Sequence, residues 1–448
     1  MGAHTGAATG RRLFGTDGVR GRTGEVLTAE LALALGRAAV SVTTSGSPQV
    51  LIVRDTRESG QMLEAALAAG ITCAGGDAVF GGVLPTPGAA LLARRLGFDL
   101  AAVVSASHNP YHDNGIKFFG RDGTKLDDEA EARIEAAVLA DEDVPMGERA
   151  GRTRALRGAA DDYLRELELR FRDLDLSGLH VLLDCANGAS YRVAPEIFRR
   201  LGASVDVVAD EPDGRNINAG CGSTHVDGLA ETVAGTDYDV AFAFDGDADR
   251  VLAVDRNGTV VDGDEIIAIA ALHLRERGEL PGPGVAVTVM TNYGFHRAMQ
   301  KAGIEVGTTP VGDRHVIAAL LQRGWALGGE QSGHVIQTRF VPSGDGVAAA
   351  LLTLEALGGR DLATRDAMEK LSQVLLNVRV GDPDALDRAR EVWEAVDRET
   401  QALEGRGRVL VRASGTEPLV RVMVEAPERA ECADIAGRLA ETVERELG

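Results

Sequence analysis

The sequence predicts an α/β fold of several helix-covered sheets, closed at its C-terminal end by a smaller α+β domain. Two patterns carry this reading. Through residues 11–370, β-branched apolar runs alternate with Gly-rich polar loops and Ala/Leu-rich helical stretches, as expected of sheets covered by helices. From about residue 372 the order becomes helix, strand, strand, helix. With 448 residues, 44% hydrophobic and 26% charged, the chain is long and apolar enough for about two to four folded units.

Taken in order, Val50–Val53 leads into Arg54-Asp55, Ala101–Val104 into Ser105–Asn109, His180–Leu183 into Asp184–Asn187, and Val240–Phe244 into Asp245–Asp249. Each run places polar groups at the carboxyl end of a strand, where open α/β sheets bind ligands. Beyond Asp249, Val251–Val254, a turn at Asn257-Gly258 and Thr259–Val261 have the pattern of a hairpin, which would hold the acidic loop firmly. The tail predicts a helix over Pro383–Leu403, strands at Val409–Arg412 and Val420–Glu425, and a last helix over Glu428–Leu447. Changes from helix to strand pattern suggest domains at 1–155, 156–256, 257–371 and 372–448.

Charge and composition narrow the function. The 47 basic residues against 68 acidic ones leave a net charge of −21, which repels polyanions; with no basic tract, nucleic acid is not an expected partner. Met1–Gly10 lacks the apolar core of a signal peptide and no run of eighteen apolar residues follows, so a cytoplasmic protein without a membrane partner is expected. Cys73, Cys185, Cys221 and Cys432 lie far apart and form no Cys-x-x-Cys pair, which predicts reduced thiols. Only four basic residues are lysine: Lys117, Lys125, Lys301 and Lys370. In a chain that prefers arginine, a retained lysine invites a chemical explanation, because an ammonium titrates when desolvated and a guanidinium does not.

Four loops bear chemistry. Asp245-Gly246-Asp247-Ala248-Asp249-Arg250 sets three carboxylates at alternate positions, able to share a hard dication such as Mg²⁺. A calcium EF-hand is a poor alternative, with Arg250 and Arg256 at its sixth and twelfth positions; a solvated acidic turn is the plainer one. Ser105-Ala106-Ser107-His108-Asn109-Pro110, continuing to Lys117, joins hydroxyl, imidazole and ammonium groups that could carry a transferable group or simply build a turn. Arg412-Ala413-Ser414-Gly415-Thr416, with Arg421 on the next strand, has the makings of a phosphate cradle. Gly329-Glu330-Gln331-Ser332-Gly333-His334 offers groups suited to sugar hydroxyls. The amino-terminal Phe14–Gly21 is a Gly-rich turn or a loop aiming Arg20 at an anion.

In chain order, over about Leu13–Glu425, these five loops resemble the α-D-phosphohexomutase superfamily. Gly329–His334 and the stretch Asn216–His225 resemble its bacterial branch that acts on glucosamine phosphates, whereas relatives acting on mannose and glucose phosphates typically carry methionine where Gln331 stands. The resemblance implies three related α/β domains and a smaller α+β domain around a central cleft. It implies phosphate exchange between O6 and O1 of glucosamine through a phosphoserine and a bisphosphorylated sugar, glucosamine 1,6-bisphosphate or similar, which also primes the enzyme. By the same resemblance Ser107 carries the phosphate, and Asp245, Asp247 and Asp249 hold one Mg²⁺ with a phosphoserine oxygen. Glu330 and Ser332 contact the phosphosugar substrate, and Arg412, Ser414, Gly415, Thr416 and Arg421 grip the phosphate that is not transferred. Arg20, His108, Lys117 and His334 match positions of phosphate contact or proton transfer. His315 stands where an aromatic residue is expected, and Val226 where proline is frequent. A hexose phosphate mutase and a non-catalytic sugar-phosphate or metal-binding protein remain alternatives, and the oligomeric state is not legible.

Overall fold

The computed structural model describes residues 13–140, 149–414 and 418–448. It is an α/β structure in which three mixed sheets lie in one compact unit, the residues up to Met290 with Glu305–Arg365. The first sheet has seven strands in the order Phe14–Gly15, Gly18–Arg22, Asp113–Gly120, Leu100–Val104, Gln49–Arg54, Asp77–Val83, Thr153–Ala155. The last four are parallel, and Asp113–Gly120 turns back antiparallel on Leu100–Val104. All five residues of Leu100–Val104 are buried. A strand covered on both faces has no solvent side to mark with polar residues, so it reads as an unbroken apolar run.

The second sheet runs Val260–Val261, Val251–Asp255, Val240–Phe244, His180–Asp184, Ser204–Val208. Its central strand Val240–Phe244 is also wholly buried, parallel to His180–Asp184 and antiparallel to Val251–Asp255. The hairpin at Asn257-Gly258 forms, with the Asp255 carboxylate accepting from the Asn257 and Thr259 N–H groups. The third sheet runs Glu305–Thr309, Gly284–Thr288, Leu327–Gly329, Val335–Gln337, Val341–Gly344. In each sheet a buried strand delivers its polar loop at the carboxyl end, which is how hydrophobic burial aims the chemistry.

The second compact unit comprises Thr291–Ile304 and Asp366–Gly448. Its antiparallel sheet, in the order Ser372–Arg379, Leu419–Ala426, Arg408–Ala413, packs with helices Arg390–Leu403 and Arg429–Leu447. Two details differ from the sequence reading. The helix expected over Pro383–Leu403 is a 3₁₀ segment, Pro383–Arg388, followed by an α-helix from Arg390, because Ala389 leaves the helical region at φ −77°, ψ 81°. Strand Ser372–Arg379 is absent from the sequence reading, because Leu375 stands on its exposed face between the half-buried Val374 and Leu376 and hides the alternation that the strand has. The helix Tyr293–Ala302 joins this unit through hydrogen bonds at its start. The Asn292 side chain exchanges two with the Leu371 backbone, Tyr293 N–H donates to Glu425, and Arg408 donates to Thr291 O. No described helix is long and apolar enough to cross a membrane.

One buried carboxyl in the first unit sets a pH dependence. Asp345 caps helix Gly346–Leu357 through Ala348 N–H and accepts the Tyr163 hydroxyl at 2.9 Å. Burial outweighs these bonds and pushes its pKa up from 3.8 to about 6. A raised folded pKa means that the native state binds the extra proton, so this contribution is complete below pH 3.8 and is lost as pH rises through about 6. At about 1.4 kcal/mol per unit it amounts to roughly 3 kcal/mol. Asp345→Asn, which stays neutral and keeps the cap, should therefore gain in melting temperature relative to the unsubstituted protein as pH rises from about 4 to about 7; a constant difference across that range would refute the assignment.

Candidate active site

The site assembles where the loop after Leu100–Val104 meets the loop after Val240–Phe244. Ser107 Oγ donates to Asp245 Oδ2 at 2.5 Å although 138 residues separate them. The backbones themselves touch: a Cβ built on Gly246 would lie 2.5 Å from Ser107 O, so only glycine fits there. Ser107 and Ala248 both adopt positive φ, 51° and 57°, conformations that L-residues hold only when their surroundings impose them.

What imposes the Ser107 turn is a buried arginine. Arg57, 1% exposed, is paired to Asp55 at 2.8 Å and donates to the carbonyls of Ser107, Asn109, Pro110 and Asp113. Asp55 also accepts Ser105 Oγ, which in turn accepts Ser107 N–H. Asn218 adds a donor to Ser107 O and Asn109 O. The serine loop is thus gripped by its backbone, which leaves its hydroxyl directed at the carboxylates.

Ligand oxygens of Asp245, Asp247 and Asp249 lie within 4.8 Å of one another, all buried. Thr86 Oγ1 and Lys117 Nζ both donate to Asp247 Oδ2, at 2.5 and 2.8 Å, while Asp247 Oδ1 and Asp249 Oδ1 have no hydrogen-bond partner among the described residues. Buried carboxylate oxygens without donors call for a cation. An all-oxygen set of carboxylates fits Mg²⁺. Burial, then Asp249 and Asp247, push the Asp245 carboxyl well above the usual carboxylate range. Burial works the same way on Asp249, but His334 and Lys117 overcome it and hold that carboxyl well below.

The other expected residues of this unit gather around the triad. Lys117 is 2% exposed and pairs with Asp17 at 3.2 Å and Asp249 at 3.7 Å; burial alone would lower its pKa, but Asp17, Asp247 and Asp249 raise it. Arg20 pairs with Asp17. His108 Nδ1 lies 3.4 Å from Ser107 Oγ, its pKa lowered by burial and by Arg250 and Arg20. His334 sits between Asp249 and Asp313 with its Nε2 accepting Gly344 N–H at 3.1 Å. Burial would lower its pKa, yet the two carboxylates raise it. Its loop is seated on the acidic loop's own strand by Val251 N–H donating to Gly333 O. Glu330 Oε1 is anchored by Gly312 N–H at 3.0 Å, and Ser332 is exposed. His315 is exposed as well.

In the second unit, Arg412 and Arg421 are cross-strand partners. Burial and Arg421 together lower the Arg412 pKa. Ser414 N–H closes the adjoining turn on Leu419 O; Gly415 and Thr416 lie outside the described residues.

Sequence reasoning did not reach Arg57 or Thr86, and it gave no role to Asp17, Asp55, Lys125 or Asn218, although it named each of them or the stretch that holds it. Asp55 and Arg57 had a signal, since they follow strand Gln49–Arg54 at its carboxyl end. Nothing local distinguishes Thr86.

These features define a phosphohexomutase. Family models for the phosphoglucomutase/phosphomannomutase α/β/α domains I, II and III match residues 11–144, 161–258 and 262–378, and the C-terminal domain matches 375–442. The chain belongs to this family. It is 50% identical over 436 residues to a phosphoglucosamine mutase of Moorella thermoacetica, with 96% of this chain and 98% of the relative covered. The phosphoglucosamine mutase of Desulforudis audaxviator is 51% identical over 422 residues, covering 92% and 94%. The crystal structure of a phosphoglucomutase/phosphomannomutase family protein from Burkholderia thailandensis aligns with a TM-score of 0.79 at 25% identity, covering 96% of both chains.

The backbone contact at Gly246 yields a prediction. Gly246→Ala must push the two loops apart, so Mg²⁺ titrated calorimetrically should bind at least about tenfold more weakly, in a protein of unchanged circular dichroism. Unaltered affinity would show that loop contact does not shape the carboxylate trio.

Proposed function

We propose that the protein is an isomerase that interconverts glucosamine 6-phosphate and glucosamine 1-phosphate. The observation that carries this is the hydroxyl of Ser107 held against Asp245 beside two further buried carboxylates, in a chain about half identical to phosphoglucosamine mutases over nearly its whole length.

In the reaction, the P–O bond of phospho-Ser107 breaks as a bond forms from phosphorus to O1 of glucosamine 6-phosphate, and the O1 proton passes to a base. The resulting 1,6-bisphosphate turns over in the site. Ser107 Oγ then takes the phosphoryl group from O6, O6 recovers a proton, and glucosamine 1-phosphate leaves. Asp245, Asp247 and Asp249, with an oxygen of the phosphoserine, would hold Mg²⁺, which when bound supplies positive charge to the phosphoryl group. Little covalent help is needed from the protein in such transfers; the work is positioning and charge. Arg57 and Asn218 hold the serine loop, and Lys117 and Arg20 supply cationic donors near the group in transit. His334 and Lys117 are the candidates for proton transfer, with His108 beside the serine hydroxyl. Glu330 and Ser332 are assigned to sugar hydroxyls, and Arg412, Ser414 and Arg421, with Gly415 and Thr416, to the phosphate that stays on the sugar. With Ser107 unphosphorylated, turnover waits for priming by a bisphosphosugar. In this reading the protein works in the cytoplasm on a phosphosugar.

Ser107→Ala should lower turnover by at least about 10³-fold, because it removes the group carrier itself, and Asp247→Ala should abolish activity at saturating Mg²⁺. Intact-mass measurement should find one phosphate on Ser107 that disappears on mixing with substrate. Its persistence would make the protein a binder and no mutase. Turnover of glucosamine, glucose and mannose 6-phosphates on one preparation should favour glucosamine; a preference for mannose or glucose would reassign the substrate.

A further inference from the structure

Two of the four lysines lie within one connected set of buried charges, and only one of them touches the acidic loop. Lys125 sits between strand Asp113–Gly120 and helix Asp128–Leu139, with its side chain 9% exposed. Its ammonium pairs with Asp17 of the amino-terminal turn and with Asp313, the first residue of helix Asp313–Arg323. From Lys125 two routes lead to the triad. Asp17 accepts Lys117 Nζ, which donates on to Asp247. The second is electrostatic and not hydrogen-bonded: Asp313 faces His334 Nε2, itself the acceptor of Gly344 N–H, at 3.7 Å, and His334 Nδ1 lies 3.7 Å from Asp249 Oδ1. The ammonium of Lys125 therefore closes a circuit whose opposite side is the acidic loop.

Charge balance explains why a cation is required at this point. Asp17 and Asp313 are held against the same nitrogen, so removing its charge leaves two carboxylates repelling each other in a buried setting. Both would move, and each is a support for a group beside the phosphoryl site. Lysine suits the place because a compact ammonium can stand between two carboxylates, whereas a planar guanidinium needs a wider gap.

We infer that Lys125 is a positioning residue for phosphoryl transfer, which holds Lys117 through Asp17 and His334 through Asp313 without touching the substrate. The inference rests on the mutase reading above. It assigns to Lys125 an effect on the chemical step in preference to one on sugar binding, since the groups it supports, Lys117 and His334, are the candidates for proton transfer, and its own ion pairs are to Asp17 and Asp313 and not to Glu330 or Ser332.

The test uses the full-length protein with Mg²⁺, primed with glucose 1,6-bisphosphate, and reads kcat and KM for glucosamine 6-phosphate. Lys125→Met should lower kcat by about 30-fold with KM changed less than about threefold, and Asp313→Asn should lower kcat by about tenfold. The double variant should be no slower than Lys125→Met alone, because the pair acts as a unit. A kcat within twofold of the unsubstituted protein for Lys125→Met, a loss expressed mainly in KM, or single effects that multiply in the double variant would each overturn the inference. Should Lys125→Met fail to fold, Asp313→Asn decides by itself on the same kcat and KM criteria, since the Asn side chain can still accept the Arg314 N–H bond that Asp313 makes at 2.7 Å. Absence of turnover in the unsubstituted protein would overturn both this inference and the mutase reading; normal turnover with indifferent variants would overturn this one alone.

Discussion

The site depends on a contact between two backbones. Ser107 O and Gly246 Cα approach so closely that no side chain fits between them, and this brings a hydroxyl within hydrogen-bond reach of a carboxylate 138 residues away. Opposing it are the desolvation of three neighbouring carboxylates and two non-glycine residues at positive φ. Arrangements of this kind persist only where the scaffold over-determines them. Here the scaffold is two wholly buried strands, Leu100–Val104 and Val240–Phe244, fixed by hydrophobic burial before any polar contact is counted.

Around that contact the charges are sorted by partner. Asp247 gives one oxygen to protein donors, Thr86 and Lys117, and keeps the other bare. Asp245 and Asp249 are driven in opposite directions, the first up by burial and then by its like-charged neighbours, the second down, against burial, by His334 and Lys117. Three carboxylates of one loop, two residues apart in sequence, are thereby chemically distinct. Burial alone would have treated them alike.

Much of this was legible in the sequence, for a local reason. Strand runs buried on both faces leave unbroken apolar stretches, and the polar residues that follow them mark the sheet's carboxyl edge, so the loops that carry Ser107 and the three aspartates could be located, while the roles of Ser107 and Glu330 came from the family resemblance. Spacing at alternate positions spoke for the triad without help from elsewhere in the chain. Arg57, Thr86 and Asn218 escaped because their role is created by partners 50 to more than 160 residues distant. A buried arginine that ties down four carbonyls looks, in one dimension, like any arginine after a strand. The scarcity of lysine did point at Lys117 and Lys125, but named no partner for either.

The segment Thr291–Ile304 has a consequence for how the polypeptide can be divided. It is inserted in the run of the third sheet yet completes the C-terminal unit, so the chain passes between units at residues 290–291, 304–305 and 365–366. A fragment cut after Arg365 would carry the helix Tyr293–Ala302 with Phe295 and Met299, both fully buried in the intact chain, and none of the carboxyl-terminal partners of Asn292 and Tyr293. The last unit is therefore not an appendage that truncation could remove cleanly; it is sewn in by three crossings.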